Sequence, residues 1–244
     1  MRRRQILDDL VISLKEGGGL MSFTFAIADL HGRADLLEAA LSAIGSRFSS
    51  GTVIFLGDYV DRGPGSRQVI DRLVGGGGEG WNWICLKGNH EELMFNGLVA
   101  SSGMFVDRPL WIANGGDATL RSYGNDPHSV PGAHIDWLEA LPLMHIDLHR
   151  VYVHASVDPR LPLNRQPEQA CLWYLYDDED EGGHGDFHVV HGHHHFVDGP
   201  LLKRHRTNLD TFAWSTGRLV VAVFDDDVAG GPVELIEILG DPMQ

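Results

Sequence analysis

Five short segments bring carboxylates, imidazoles and one carboxamide to points where an apolar run ends: Asp29 with His31, Asp58, Asn89 with His90, His154, and His193. Side chains of these types are good ligands for hard or borderline divalent cations. Taken singly, an Asp after a strand can serve as a helix cap and a His as a satisfied core residue. As a set they point to a metal centre. Two divalent cations about 3.5–4 Å apart need a shared anion, and Asp58, in the middle segment, is the natural carboxylate to bridge them. A water shared by such a pair loses a proton near neutral pH, and the resulting hydroxide is a nucleophile suited to hydrolysis. The ligand set accepts manganese, iron, zinc or cobalt, and affinity order alone does not select among them.

The elements that must hold these residues follow from hydrophobic periodicity. Phe23 to Ile27 reads as a buried strand, followed by a polar turn at Asp29 to Gly32 and a helical apolar period through Leu36, Leu37, Ala40, Leu41 and Ile44. The unit recurs as strand Thr52 to Leu56, turn Gly57 to Gly65 and helix Ser66 to Val74, with four glycines behind it. A third round comprises Trp83 to Leu86, Lys87 to His90, and a helix from Glu91 to about Val99. Three successive βα units imply a parallel layer whose carboxyl-end loops share one rim, where open α/β sheets bind ligands. A helical insertion is expected around 105–141. Six strands are expected after it: His145 to Leu148, Val151 to His154, His188 to His191, Leu201 to Lys203, Leu219 to Phe224 and Val233 to Ile238. They are expected to form a second, more antiparallel sheet packed on the first. The acidic run Asp177 to Glu181 reads as a solvated loop.

Composition narrows the class. With 43% hydrophobic and 22% charged residues in 244, the chain is neither disordered nor a coiled coil, and its 30 glycines call for many tight turns. Nineteen basic against 34 acidic residues give a net charge of −15, which disfavours nucleic-acid backbones and anionic membranes as partners. Any phosphate must then be met locally, by metal or arginine. Two cysteines, Cys85 and Cys171, are too few for a disulfide scaffold and fit a reducing cytoplasm. Cys85, inside the third strand, is expected to be a buried, unreactive thiol. Residues 1–20 lack a signal-peptide core. Lys15-Glu16-Gly17-Gly18 is what a purine-rich ribosome-binding sequence would encode, so that residues 1–20 form a leader and Met21 a start; an ordinary N-terminal helix with a glycine cap is the other reading. Residues 21–244 are expected to make one domain.

Asp29-x-His31-Gly32, Gly57-Asp58-x-x-Asp61-Arg62-Gly63, Gly88-Asn89-His90-Glu91, His154-Ala155 and Gly192-His193 stand in an order that resembles the calcineurin-like metallophosphoesterases. More narrowly, they are similar to the bacterial and phage branch of the phosphoprotein phosphatases, a likeness that extends to Trp111 to Gly124 and Asn208 to Arg218. The resemblance implies an α/β (α+β) four-layer fold, two mixed β-sheets packed as a sandwich and flanked by helices, with a dinuclear centre between them. It implies that Asp29, His31 and Asp58 hold one metal and that Asp58, Asn89, His154 and His193 hold the other, with manganese the usual activator. It also implies that His90 protonates the leaving alkoxide, that Asp61 orients His90, and that Arg62, with Asn89 and His90, contacts substrate phosphate.

Two features depart from the family pattern. A Leu-Trp-x-Arg segment usually supplies a second phosphate-binding arginine, but here Leu172-Trp173-Tyr174 is followed by Leu175, which leaves Arg33 or Arg160 to compensate. Gly192-His193-His194-His195 also fits the Gly-His-x-His form of the wider superfamily, which makes His195 a candidate additional ligand. The expected activity is hydrolysis of phosphoserine and phosphothreonine in proteins. The alternatives are symmetrical cleavage of dinucleoside polyphosphates, suggested by Arg62-Gly-Pro-x-Ser66, and a metal-binding module without catalysis. Asp61 and Glu91 favour the first, because dinucleotide hydrolases of this type commonly lack the acid and carry Gly-Asn-His-Asp.

Overall fold

The architecture comes from a computed structural model, which describes residues 22–99, 107–177 and 179–243. The proposed leader and Met21 lie outside the described residues. Strand β1 (Phe23–Ile27) pairs in parallel with β2 (Gly51–Phe55), and β2 in parallel with β3 (Trp81–Cys85). Helices α1 (Ala34–Gly45) and α2 (Ser66–Val74) form the crossovers, and α3 (Asn89–Val99) follows β3. Because the three strands run the same way, the loops carrying Asp29, Asp58 and Asn89 leave from one rim.

The insertion is built from α4 (Asp107–Trp111), a π-helical turn at Ile112–Gly116, α5 (Asp117–Ser122), a 3₁₀ turn and α6 (Gly132–Ala140). Beyond it come β4 (Met144–Ile146), β5 (Arg150–Val153), α7 (Glu168–Trp173), β6 (His188–His191), β7 (Leu201–Leu202) and β8 (Arg206–Asn208). These strands form a five-stranded sheet in the order β4-β5-β6-β8-β7, whose central pairings β5-β6 and β6-β8 are parallel. Only its edges, β4 and β7, are antiparallel. The second sheet is therefore no more antiparallel than the first, which corrects that expectation, and β8 is a strand that periodicity over three residues could not signal.

A larger correction concerns the C-terminal strands. After the short helix α8 (Ala213–Thr216), β9 (Arg218–Asp225) and β10 (Glu234–Leu239) return to the first sheet, in the order β10-β9-β1-β2-β3. β9 pairs antiparallel with β1 along Phe23 to Ile27, completing the edge that β2 leaves open. Its interior is buried on both faces, as a central strand requires. Residue pattern identifies such a strand without naming its neighbours.

Alternation along β1 separates two cores. Phe25 and Ile27 join Leu36, Leu37 and Ile44 under the helices, whereas Ala26 and Ala28 face Tyr152, Val190 and Phe224 between the sheets. A third cluster, with Val151, Val153, Val189 and Cys171, packs the outer face of the second sheet. The result is the expected sandwich of two mixed sheets with helices outside. Cys85 is half-buried instead of buried, because β3 is the edge strand of its sheet, although burial still pushes its thiol up to about 12.

Candidate functional site

β5 and β6 run parallel, so His154 and His193 leave the second sheet at one rim and meet the three loops of the first. The two layers close on each other at a glycine pair: a Cβ on Gly57 would lie 2.7 Å from the Gly88 backbone and 2.9 Å from His154 Nδ1. Glu91 locks this corner. Its buried carboxylate accepts the amides of Asp58 and Tyr59 at 2.8 Å and of Gly88 at 2.9 Å, which joins the second and third loops. The sequence places Glu91 in a motif, but only its spatial neighbours disclose this clamp.

Asp58 lies between two groups of ligand-capable atoms. His31, Asp58 and His90 form one, and Asp58, His154 and His193 the other; within each, all ligand atoms lie within 4.8 Å of one another. Asp58 Oδ2 is 3.5 Å from His31 Nε2, whereas Oδ1 is 3.3 Å from His154 Nε2, so the carboxylate presents one oxygen to each side. Burial opposes its charge, but the neighbouring imidazoles, His154 and His90 foremost, outweigh that and hold it well below the usual carboxylate range. Asp29 is buried beside them, and its two oxygens lie 3.1 and 3.3 Å from the His193 amide.

The donor set fits divalent cations. His31 Nδ1 faces the Val60 carbonyl and His154 Nδ1 the Leu56 carbonyl, each at 2.9 Å, which leaves both Nε2 atoms with lone pairs directed inward. The Asn89 oxygen faces only acceptors, with His154 Nε2 at 2.9 Å. Turning the amide over would satisfy them, and so would a cation between them. Burial lowers His193 to about 4 and drives His31 well below its ordinary value, so both rings are neutral ligands at pH 7. The guanidinium of Arg62 stands in for positive charge on the other side, 2.9 Å from His31 Nε2 and 3.1 Å from His90 Nε2.

His90 has a different setting. Its Nδ1 meets Asp61 Oδ2 at 2.7 Å, while Asp61 Oδ1 receives the Trp111 indole N–H at 2.8 Å and lies 2.7 Å from the Thr119 hydroxyl. Burial pushes Asp61 up. It works the other way on His90, but the nearby carboxylates of Asp58 and Asp61 raise that imidazole on balance. Trp111 and Thr119 come from the insertion, whose role in bracing Asp61 only the structure discloses. The backbone here is strained: His31, Asp58, Asp61, Arg62 and His193 all have positive φ, between 43° and 71°.

The remaining candidates are engaged elsewhere. Arg33 is buried, paired with Asp35 at 2.7 and 2.8 Å and bonded to the carbonyls of Ala213, Trp214 and Asp241. Arg160 is clasped by Asp158 at 2.7 Å with its side chain 84% exposed. Arg33 is thus held by Asp35 and three carbonyls, and Arg160 by Asp158. His195 is exposed, stacks on Phe212 and enters neither ligand group.

Residues 24–227 match the family model of the calcineurin-like phosphoesterases, and the chain belongs to that family. It is 27% identical over 229 residues to the asymmetrical bis(5'-nucleosyl)-tetraphosphatase PrpE of Bacillus anthracis, an alignment covering 79% of this chain and 87% of that one. It is 31% identical over 93 residues to serine/threonine-protein phosphatase 2 of Escherichia coli, covering 38% of each. A metallophosphoesterase structure from Sphaerobacter thermophilus shares the fold, with a TM-score of 0.58, 21% identity, and coverage of 91% of this chain and 89% of that one. The protein is accordingly a hydrolytic phosphoesterase of a family that works with two metal ions. No described helix is long and apolar enough to cross a membrane.

Proposed function

We propose that this phosphoesterase hydrolyses phosphoserine and phosphothreonine in proteins, in the cytoplasm and with manganese as the activating ion. The observation that carries this reading is the 2.7 Å contact of His90 Nδ1 with Asp61, whose second oxygen is already occupied by Trp111 and Thr119. An alkoxide leaving group is strongly basic and needs a proton in the transition state. Two divalent cations, bound through Asp29, His31, Asp58, Asn89, His154 and His193, would neutralise phosphoryl oxygens and lower the pKa of water.

The chain's own residues do the rest. Arg62 exchanges the two imidazole nitrogens for two phosphoryl oxygens, a geometry its planar fork matches and a lysine's ammonium does not. That exchange frees His90 Nε2 to carry a proton toward the leaving oxygen, while Asp61 holds the ring and stabilises its charge. Asn89 and the peptide N–H of His90, which donates to Asp58 at 3.0 Å, keep the acid beside the bridging carboxylate.

A second reading, hydrolysis of dinucleoside polyphosphates, is favoured by a specific observation. Leu175 is 58% exposed where the resemblance calls for an arginine, and Arg33 and Arg160 are occupied, so a dianionic monoester meets one guanidinium. The similarity to a bis(5'-nucleosyl)-tetraphosphatase supports the same reading. Turnover of a phosphoserine peptide and of diadenosine tetraphosphate by one manganese-loaded preparation separates the two. A kcat/KM for the dinucleotide far above that for several phosphopeptides would reverse their order.

A further inference from the structure

Seven non-glycine residues among those described have a left-handed backbone. Five are the site residues named above, and Asn125 is of a type that adopts this conformation readily. The seventh is Phe212, at φ 60° and ψ 40°, which the reaction does not use. A bulky aromatic residue is a genuine outlier there. The loop holds it in place: the Phe212 amide donates to Asp210 at 2.8 Å, and its carbonyl accepts the amides of Ser215 and Thr216 at 3.0 Å.

The ring so positioned belongs to a series. It stacks on His195 with centroids 4.3 Å apart and planes at 24°, and it meets Trp214 edge-on at 5.1 Å. The Trp214 ring in turn faces the Arg62 guanidinium at 5.7 Å. Phe212 and Trp214 are half-buried and His195 is exposed, so a line of flat groups leads outward from the phosphate-binding fork and ends on an accessible face.

We propose that Trp214, Phe212 and His195 form a stacking shelf for the base of a nucleotide whose phosphate lies at Arg62, an inference that rests on the second reading above. Every nucleobase has a π-face, and stacking on aromatic side chains adds affinity with little dependence on which base it is. That contribution suits a site with one guanidinium at the phosphate, because the base supplies binding that a second cation would otherwise provide. Reach favours a nucleotide over a phosphotyrosine. The tyrosyl ring is bonded to the phosphate oxygen itself, whereas a ribose separates base from phosphate and carries the base toward the outer rings.

AMP and ribose 5-phosphate differ only by the base, so their inhibition constants against p-nitrophenyl phosphate, measured on manganese-loaded enzyme, read the shelf directly. AMP is expected to bind roughly tenfold more tightly. Phe212→Gly, which suits the left-handed backbone and therefore keeps the loop, should reduce that ratio toward one, and Phe212→Tyr should preserve it. His195→Phe should also preserve it, and His195→Leu should not. Equal inhibition by AMP and ribose 5-phosphate in the wild type, or an undiminished ratio in Phe212→Gly, overturns the shelf. Tighter inhibition by phosphotyrosine than by AMP, abolished in Phe212→Gly, overturns the nucleobase as its occupant. A persistent preference for AMP without turnover of diadenosine tetraphosphate would sink the second reading and leave the shelf standing.

Discussion

The floor beneath His90 and the rim around Arg62 are built in different ways. Beneath His90, every polar atom of Asp61 meets a buried partner: His90 and Trp111 and Thr119 at its oxygens, Ser66 and Thr119 at its amide. Around Arg62 the contacts are imidazole lone pairs, an indole face and the Gly115 carbonyl at 3.1 Å, and the neighbouring rings reach the surface. Hydrogen bonds buried in a low-dielectric floor fix an angle and a proton position. Ring faces and exchangeable lone pairs leave room for a substrate to displace them. The floor is thus fixed before any substrate arrives, whereas the rim has contacts a substrate could replace.

The most damaging way to break this contrast is to remove the charge both regions share. Asp58→Asn should abolish turnover, beyond about 10³-fold, and lower bound metal, because the remaining carboxamide offsets neither cation. Metal analysis of the dialysed protein checks this, and two ions with normal turnover would exclude the bridging role. His90→Asn is expected to lose on the order of 10²–10⁴ in kcat on a phosphoserine peptide with metal content preserved. The loss should be much smaller on p-nitrophenyl phosphate, whose leaving group departs without a proton, and Asp61→Asn should show the same selectivity in milder form. Equal losses on both substrates, with chemistry rate-limiting, would move His90 to phosphate binding.

Finer cuts separate floor from rim. Thr119→Val removes a hydroxyl that serves both the carboxylate and the amide of Asp61, and Trp111→Phe removes one N–H. Each should lower kcat on phosphopeptide by roughly tenfold, the lower range for a residue that orients another, with KM nearly unchanged. On the rim side, Gly115→Ala would set a Cβ 2.9 Å from Arg62 N and Cγ at a position with φ of 100°. Displacing Arg62 should raise KM for every phosphate several-fold while the leaving-group dependence of kcat stays as in the wild type. A change in kcat selectivity from Gly115→Ala, or in KM alone from Thr119→Val, would erase the distinction.

The smallest effect on the site comes from acid. His188, on β6 behind the ligand loops, is lowered to about 4 by burial, with the Arg150 charge adding to it. An unfolded chain binds this proton near pH 6.5 and the native one does not, so stability falls as pH drops from about 6.5 toward 4. The slope is up to about 1.4 kcal/mol per pH unit. Urea midpoints at pH 7 and pH 5 measure it, and His188→Gln should flatten the difference.

Much of this arrangement is legible in the chain itself. Period-two and helical runs mark the three βα units and hence the rim that gathers Asp29, His31, Asp58, Asn89 and His90, because parallel strands joined by crossovers must place those loops together. The chemistry of the ligands is likewise local, since carboxylate oxygens and imidazole nitrogens suit hard or borderline divalent cations by their type. What lay beyond the sequence depends on contacts between distant residues. Pattern marks β9 as a strand but cannot say that it completes the β1 edge. An arginine near a motif is open to any role until Arg33 is found donating to the carbonyls of Ala213, Trp214 and Asp241. The same holds for Trp111 and Thr119 under Asp61, for Glu91 across two loops, and for Phe212 between His195 and Trp214. Each draws its role from partners that folding brings within a few ångströms, and the energy of a hydrogen bond or a stacked ring exists only at that distance.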